Sequence, residues 1–151
     1  MIFMQKRISW DEYFMKIAEI ASERATCFKR KAGAVLVIDK QIISTGYCGA
    51  PKGVQDCFEK GHCMREKKQL KSGQNLEFCM ATHAEQNAIA QAACFGIPTK
   101  GATIYATHFP CVLCAKLLIN AGIKEIVYKN DQFDELSPKI LEEAKIIVRK
   151  M

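Results

Sequence analysis

The stretch that decides the fold is ATIYATHFPCVLCAKLLINA, residues 102–121. Its opening part, Ala102 to Thr107, is apolar or β-branched and predicts a short buried strand. Pro110 and Gly122 bracket the next segment in the order typical of a helix start and a helix end, so we predict a helix from Cys111 to Ala121. A strand that leads directly into a helix is the repeating unit of α/β folds.

The rest of the chain continues this alternation in both directions. Further strands are predicted at Ala32 to Asp39, Gln41 to Tyr47, Glu125 to Tyr128 and Ile146 to Arg149, with Asp39-Lys40 as a tight hairpin connection. Further helices are predicted from a capping box at Ser9–Glu12 to about Ala25, from His83 to Phe95, and from Ser137 to about Ala144. The pattern predicts an α/β fold with three α/β/α layers, in which helices cover both faces of a mixed, mostly parallel five-stranded sheet.

Length and composition are those of one compact domain. The chain has 151 residues, of which 49% are hydrophobic and 25% are charged, and such values are ordinary for a folded globular protein. We therefore predict a single domain over residues 1–151. The segment from Gly46 to Phe78 is rich in glycine and polar residues. A connection of this length within one domain is usually functional, or is organised by something other than a hydrophobic core.

The sequence predicts a cytoplasmic protein without a membrane segment. Charged residues interrupt the start of the chain, Met1–Arg7, before a secretory signal could form. The longest apolar run, residues 32–38, is much shorter than the ~20 residues that cross a bilayer. Eight cysteines in a cytoplasmic chain indicate metal binding or catalysis rather than a disulfide framework.

The net charge suggests an acidic partner. A formal charge of +6 would attract either a phosphate-bearing substrate or a nucleic acid. The positive residues are dispersed, however, and form no concentrated basic tract of the kind that binds nucleic acid. The dispersed charge therefore favours a phosphate-bearing small molecule over nucleic acid or a membrane, although the net charge alone does not choose between the first two.

Two short motifs carry the chemistry: His83-Ala84-Glu85 and Pro110-Cys111-Val112-Leu113-Cys114. Cys111 and Cys114 stand three residues apart on a predicted helix, so both sulfurs project from one face of its first turn, where unpaired N–H groups favour thiolates. With His83 they supply three zinc ligands and leave the fourth tetrahedral position for water, as in catalytic sites. Glu85 lies two residues after His83, so it can reach the metal-bound water and transfer its protons without being a metal ligand. This spacing is the signature of zinc-dependent nucleobase deaminases.

Each motif taken alone also has a structural explanation. Thr82-His83-Ala84-Glu85 fits a capping box, in which Glu85 would only serve the helix start. A single Cys-x-x-Cys pair is also found in redox proteins and in half of many structural zinc sites. The two motifs together, each opening a predicted helix and separated by a strand, favour a deaminase.

Beyond these motifs, the chain resembles the deoxycytidylate (dCMP) deaminase family, including relatives encoded in bacterial competence operons. The resemblance is carried by residues 8–15, 43–53, 83–89 and 107–111. It implies a cytidine deaminase-like fold and zinc-dependent hydrolysis of dCMP to dUMP and ammonia in pyrimidine nucleotide metabolism. It also implies a homo-oligomer, in many members a hexamer, that Mg-dCTP activates and dTTP inhibits.

The resemblance assigns two further groups of residues. The nucleotide-binding candidates are Tyr47, Cys48, Gly49, Pro51, Asn87, His108 and Phe109. Cys48 stands where the family usually has an asparagine, which is a polar contact near the sugar. A second, structural zinc is implied at Cys27, Cys57, His62 and Cys79, with Cys63 as a competing ligand.

Two other hypotheses remain open from the sequence. One is a zinc deaminase for another substrate, such as adenosine in tRNA, and the other is a non-catalytic nucleotide-binding protein linked to competence. The intact Glu85 favours an enzyme, whereas Cys48 leaves the binding-protein hypothesis open. Replacing Glu85 with glutamine separates these classes, because an enzyme would lose turnover and a binding protein would be little affected.

Overall fold

A computed structural model of the chain describes residues 7–71, 73–132 and 134–151. The helices are α1 (Trp10–Ser22), α2 (Cys57–Lys60), α3 (Met64–Lys67), α4 (Ala84–Cys94), α5 (Val112–Asn120) and α6 (Ser137–Glu143). The strands are β1 (Gly33–Ile38), β2 (Gln41–Tyr47), β3 (Thr103–His108), β4 (Glu125–Asn130) and β5 (Ile147–Lys150). None of the helices in this described part has the length and apolar character that a bilayer crossing requires. The prediction that the chain lacks a secretory signal depends on residues 1–7, of which residues 1–6 lie outside the described residues.

The predicted capping box starts α1. The Ser9 hydroxyl accepts a hydrogen bond from the Glu12 backbone N–H at 3.1 Å, and the Glu12 carboxylate accepts one from the Ser9 N–H at 2.8 Å. The helix ends at Ser22, three residues before the predicted end near Ala25. The reason is that the following N–H groups bond three residues back, which tightens the chain into a turn.

The sheet is mixed and has the strand order β2-β1-β3-β4-β5. The mixed five-stranded sheet was predicted correctly, but its parallel part is smaller than predicted. β3, β4 and β5 pair in parallel, whereas β1 is antiparallel to both of its neighbours. β1 and β2 are antiparallel because a tight hairpin at Asp39 and Lys40 joins them. The positive φ angles of these two residues, 49° and 60°, suit a two-residue turn between antiparallel strands.

Helices cover both faces of the sheet, as predicted. α1 packs on one face, where Phe14, Met15 and Ala18 join a buried cluster with β1, β3 and β4. The other face carries α4, α5 and α6, and its core includes Ala88, Leu118 and Leu141. The two faces and the sheet between them form the three-layer α/β/α architecture.

Two glycines bring helices close to the sheet. A Cβ atom on Gly33 would lie 2.0 Å from the Ala18 carbonyl oxygen of α1, and one on Gly46 would lie 2.1 Å from the Ala84 carbonyl oxygen of α4. Real Cβ atoms cannot approach so closely, so only glycine allows these backbone contacts. The contact at Gly46 seats the first turn of α4, which carries the deaminase motif.

The segment after β2 is more ordered than its composition predicts. It contains α2 and α3 and a 3₁₀ turn at Leu76–Phe78. Arg65 is 8% exposed and donates hydrogen bonds to the carbonyl oxygens of Lys71 and Gln74 at 2.5 and 2.6 Å. A buried guanidinium therefore holds this loop together where the hydrophobic core does not reach.

Candidate zinc and catalytic site

The deaminase motifs meet where α4 and α5 begin. His83 is the N-cap residue of α4, Cys111 is the N-cap residue of α5, and Cys114 lies in the first turn of α5. The Gln86 side chain accepts a hydrogen bond from the His83 backbone N–H at 3.0 Å. Both helix starts lie on one side of the sheet, so the imidazole and the two thiols converge.

These three side chains have the geometry of a zinc site. The His83 Nδ1 atom lies 3.3 Å from the Cys111 sulfur and 3.4 Å from the Cys114 sulfur. Tetrahedral zinc, with bonds of about 2.3 Å to sulfur and about 2.0 Å to nitrogen, places such ligand atoms roughly 3.5 Å apart. Among the described residues, this is the only group of three or more His, Cys, Asp or Glu ligand atoms that lie within 4.8 Å of one another.

The electrostatics of the site favour a thiolate at Cys111. Its pKa is lowered to about 4, first by the hydrogen bond with Cys114 and then by His83 and the Cys114 backbone N–H. The hydrogen bond with Cys111 and burial raise the pKa of Cys114. Thiolates are the form in which cysteine binds zinc.

Glu85 is a buried carboxyl group directly beside the candidate ligands. It is 7% exposed, and its Oε2 atom lies 3.5 Å from the Cys114 sulfur. Burial raises the pKa of Glu85. The alternative in which Glu85 caps α4 is wrong, because Gln86 accepts the His83 N–H and the Thr82 N–H bonds to the Gly49 carbonyl oxygen. Glu85 is therefore available to a reacting group at the site.

A cavity of about 400 Å³ opens beside the imidazole of His83. This volume falls within the range of small-molecule sites. Its lining combines the 3₁₀ turn, the residues that lead into α4 and the first turn of α5: Leu76, Glu77, Cys79, Ala81, Thr82, His83, Gln86 and Leu113. Of the three candidate zinc ligands, His83 lines this cavity.

The glycine-containing loop after β2 is fastened to the start of α4. The Asn87 side chain donates a hydrogen bond to the Tyr47 carbonyl oxygen at 2.7 Å. Gly49 exchanges two backbone hydrogen bonds with Thr82, of 2.8 and 3.1 Å. Cys48 is buried and its thiol hydrogen-bonds with Cys27, while Pro51 is exposed farther along. The loop thus lies beside His83.

The other two nucleotide-binding candidates lie at the end of β3 and directly after it. His108 ends the strand, its Nδ1 lies 3.0 Å from the Thr107 hydroxyl, and its pKa is lowered first by burial. Phe109 packs edge-on against Tyr128 with ring centroids 5.0 Å apart, and it also joins the core around α4 and α5. His108 is therefore half-buried at the end of β3, while Phe109 is used in packing.

The residues implied for a second zinc lie near one another without forming a tight cluster. Within the described part of the chain, they do not bring three ligand atoms within 4.8 Å of one another. Burial raises the pKa of Cys57, and the nearby Cys63, Cys27 and Cys79 raise it further. The hydrogen bond with Cys48 lowers the pKa of Cys27 to about 5. His62 places its Nδ1 2.9 Å from the Lys60 carbonyl oxygen.

The sequence prediction missed two residues that shape the site. Asp134 accepts a hydrogen bond from the Val112 N–H at 2.8 Å, at the start of α5. Ser137 donates one from its hydroxyl to the Pro110 carbonyl oxygen at 2.7 Å. The Asp that stands three residues before Ser137-Pro138 is a typical helix-start signal, but its contact with α5 has no counterpart in local sequence.

Comparison with known proteins agrees with this geometry. "ComE operon protein 2" of Bacillus subtilis is 38% identical over 97% of this chain and 73% of its own length. The deoxycytidylate deaminase of Saccharomyces cerevisiae is 39% identical over 95% of this chain, which spans 45% of that enzyme. The dCMP deaminase of cyanophage S-TIM5, solved with dCMP and dUMP, superimposes with a TM-score of 0.80 at 28% identity over 97% of this chain and 100% of that one.

The family match covers most of the chain and includes every residue of the candidate zinc site. Residues 8–130 match the family described as the cytidine and deoxycytidylate deaminase zinc-binding region. This range contains His83, Glu85, Cys111 and Cys114, and it extends from the start of α1 to the end of β4. The chain therefore belongs to the cytidine and deoxycytidylate deaminase family.

Proposed function

We propose that the protein is a zinc-dependent hydrolase that converts dCMP and water to dUMP and ammonia. The observation that carries this proposal is the buried carboxyl group of Glu85 beside the three-ligand group of His83, Cys111 and Cys114. Three protein ligands leave one position of a tetrahedral zinc for water or substrate, which is the arrangement of a catalytic site. A closed structural site would need a fourth protein ligand.

Zinc bound by His83, Cys111 and Cys114 would supply Lewis-acid activation of water at neutral pH. The chain's own contribution to proton transfer is Glu85. Its carboxylate would accept a proton from the attacking water and deliver it to the ring nitrogen of cytosine, and would later accept the second proton of that water from the new hydroxyl and pass it to the leaving amine. Burial favours this role, because a carboxyl group with a raised pKa exchanges protons more readily near neutral pH.

The substrate assignment is supported by the relatives. The similar cyanophage structure holds dCMP and dUMP, and the similar yeast protein is named for deoxycytidylate. We propose that the nucleotide lies across Tyr47, Cys48, Gly49, Pro51 and Asn87, with His108 and Phe109 on the opposite side. The fastened loop after β2 would then hold the sugar in a fixed position relative to the zinc.

The experiment that tests this function is ammonia release by the zinc-loaded protein from dCMP, CMP, deoxycytidine and a tRNA anticodon stem. We expect rapid release from dCMP and much slower release from the other three. Fast deamination of the tRNA stem with none of dCMP would contradict the substrate assignment. No ammonia release from any of the four would contradict the enzymatic function and favour a nucleotide-binding protein.

We also propose a second, structural zinc at Cys27, Cys57 and Cys79, with His62 or Cys63 as the fourth ligand. Cys63 is buried and raises the pKa of Cys57, so these contacts favour the sulfur over the half-buried imidazole. A closed site would order a segment that has little core of its own. Metal analysis of the loaded protein should give two zinc ions per chain, and Cys57→Ser should give one.

The family resemblance further supports a homo-oligomer, with a hexamer as the proposed state, that Mg-dCTP activates and dTTP inhibits. Sedimentation of the protein with and without each nucleotide would test both assembly and binding. All eight cysteines are free, which fits a reducing compartment, and we propose a cytoplasmic location. Targeted fluorescence microscopy of the tagged chain would test it.

A further inference from the structure

We propose that Cys27 and Cys48 form a reversible oxidation site, which reacts with hydroperoxides to give a disulfide bond. This inference goes beyond the proposed function, because the hydrolytic deamination of a nucleotide oxidises no thiol. It is carried by the backbone hydrogen bonds that hold the two segments together, by the contact between the two thiols, and by the difference in their exposure to solvent.

Backbone hydrogen bonds hold the segment before β1 against the loop after β2. The Thr26 N–H donates to the Cys48 carbonyl oxygen at 3.0 Å, and the Cys48 N–H donates to the Ala32 carbonyl oxygen at 2.9 Å. Cys27 directly follows Thr26, and its thiol hydrogen-bonds with the thiol of Cys48. The two sulfurs are therefore neighbours in the folded chain, as the formation of a disulfide requires.

The two thiols differ in their access to solvent. Cys27 is half-buried, whereas Cys48 is only 5% exposed. A dissolved oxidant can thus reach the first sulfur, while the enclosed second sulfur is positioned to react with the product formed on the first. Cys111 and Cys114 also form a hydrogen-bonded pair, but both members of that pair are buried. Exposure therefore favours oxidation at Cys27.

The reaction consists of two steps. The sulfur of Cys27 attacks one oxygen of the hydroperoxide, an S–O bond forms, the O–O bond breaks, and the other oxygen leaves and takes up the thiol proton. The sulfur of Cys48 then attacks the resulting sulfenic acid, the S–O bond breaks, and its oxygen leaves as water with the Cys48 proton. The two sulfurs lose two electrons to the peroxide, so hydrogen peroxide yields one disulfide and two molecules of water.

The disulfide would change the loop that carries nucleotide-binding candidates. Asn87 and Thr82 fasten this loop to the start of α4, beside His83. An S–S bond is only about 2.05 Å long, so its formation draws Cys48 toward Cys27 and pulls on those contacts. A displacement of about 1 Å in a catalytic site can lower the rate by about 100-fold. We therefore expect the oxidised protein to turn over dCMP more slowly.

The same disulfide would compete with the proposed second zinc. Cys27 is one of the ligands proposed for that metal, and zinc is bound by thiolates. A sulfur in a disulfide is no longer a thiolate, so the metal and the disulfide exclude each other. Oxidation should thus release one zinc ion per chain if the second site exists.

The test treats the zinc-loaded protein with hydrogen peroxide and maps its peptides without reduction. We expect a Cys27–Cys48 disulfide that dithiothreitol removes, with a fall in dCMP turnover of about 10-fold or more that the same reductant reverses. Cys48→Ser lacks the second sulfur and should accumulate the sulfenic acid at Cys27, which a 1,3-diketone captures. Cys94→Ser is the matched control, since it removes an exposed thiol and should leave the disulfide yield unchanged.

Two results would overturn the inference. One is a Cys27–Cys48 pair that stays reduced at a peroxide concentration that oxidises the exposed Cys94, and the other is preferential formation of a Cys111–Cys114 disulfide. Peptide mapping does not depend on turnover. A wild type that deaminates none of the tested substrates would therefore contradict the proposed function, while its Cys27–Cys48 disulfide would still support this inference.

Discussion

The carboxylate of Asp134 accepts a hydrogen bond from the backbone N–H of Val112 at 2.8 Å, at the start of the helix that carries two zinc ligands. Its other oxygen accepts from the N–H groups of Leu136 and Ser137 at 3.0 and 2.8 Å. One side chain thus connects the first turn of α5 to the first turn of α6. Since Cys111 immediately precedes Val112, this connection fixes the backbone from which the Cys111 sulfur projects.

Replacing Asp134 with alanine should weaken zinc binding. Contacts that orient metal ligands typically contribute about 10- to 100-fold to metal affinity, and we expect a loss within that range, measured by competition with a chelator of known affinity. Asp131→Ala is the matched control, because Asp131 pairs with Lys150 on the exposed surface. Equal zinc affinity in Asp134→Ala and the wild type would show that α5 is held in place without this side chain.

The two helix–sheet contacts at glycine should differ in their effect on the site. Gly33→Ala and Gly46→Ala each force a methyl group against a helix backbone, and we expect each to lower the free energy of unfolding by about 1–3 kcal/mol. Urea denaturation would measure this loss. Only Gly46→Ala displaces the first turn of α4, so only this variant should also lose zinc affinity. Equal zinc affinities in the two variants would contradict this account of how α4 is positioned.

An ion-pair network on the opposite side of the sheet should make stability depend on acidic pH. Arg149 contacts Asp11 and Glu125, each at 2.7 Å, and Tyr105 donates a hydrogen bond to Asp11 at 2.7 Å. The hydrogen bond from Arg149 lowers the pKa of Asp11. A lowered folded-state pKa contributes stability above the unfolded value of about 3.9, and this contribution is lost as pH falls through the folded value.

Urea unfolding of the wild type and Asp11→Asn from pH 7 to pH 3 tests this network. We expect the wild type to be more stable by roughly 0.5–1 kcal/mol at pH 7, because the pair is partly exposed and screened by solvent. The difference should stay constant down to about pH 5 and shrink toward pH 3 as the wild-type Asp11 takes up a proton. A difference that is unchanged at pH 3 would contradict the assignment.

The sequence was sufficient to predict the five strands, the four longer helices and the grouping of His83, Cys111 and Cys114, because these features are encoded locally. Pro110 marks the start of the helix that carries Cys111 and Cys114, Gly96 and Gly122 mark the ends of α4 and α5, and the capping box of α1 was predicted with its partners. The antiparallel pairing of β1 with β3 was not predicted, because the long segment between them allows either direction. The capping box considered for α4 is also shifted by one residue in the structure, where Gln86 and not Glu85 accepts the hydrogen bond at the helix start.

Contacts between distant segments were beyond prediction from sequence. Asp134 meets Val112 across 22 residues, and Arg30 meets Gln132 across 102. The burial of Arg65 inside a polar loop depends on the carbonyl oxygens of Lys71 and Gln74 turning toward it. Such contacts are set by tertiary packing, and residue type alone does not show which of many charged side chains will make them.

The most direct test of the central claim is the turnover of dCMP by the zinc-loaded Glu85→Gln variant, with Glu143→Gln as an exposed control on α6. If Glu85 moves the protons of deamination, kcat should fall by about 10²- to 10⁴-fold, while the zinc content and the dUMP affinity remain those of the wild type. The control should retain full activity. Turnover by Glu85→Gln at the wild-type rate, with dUMP and zinc bound normally, would contradict the account.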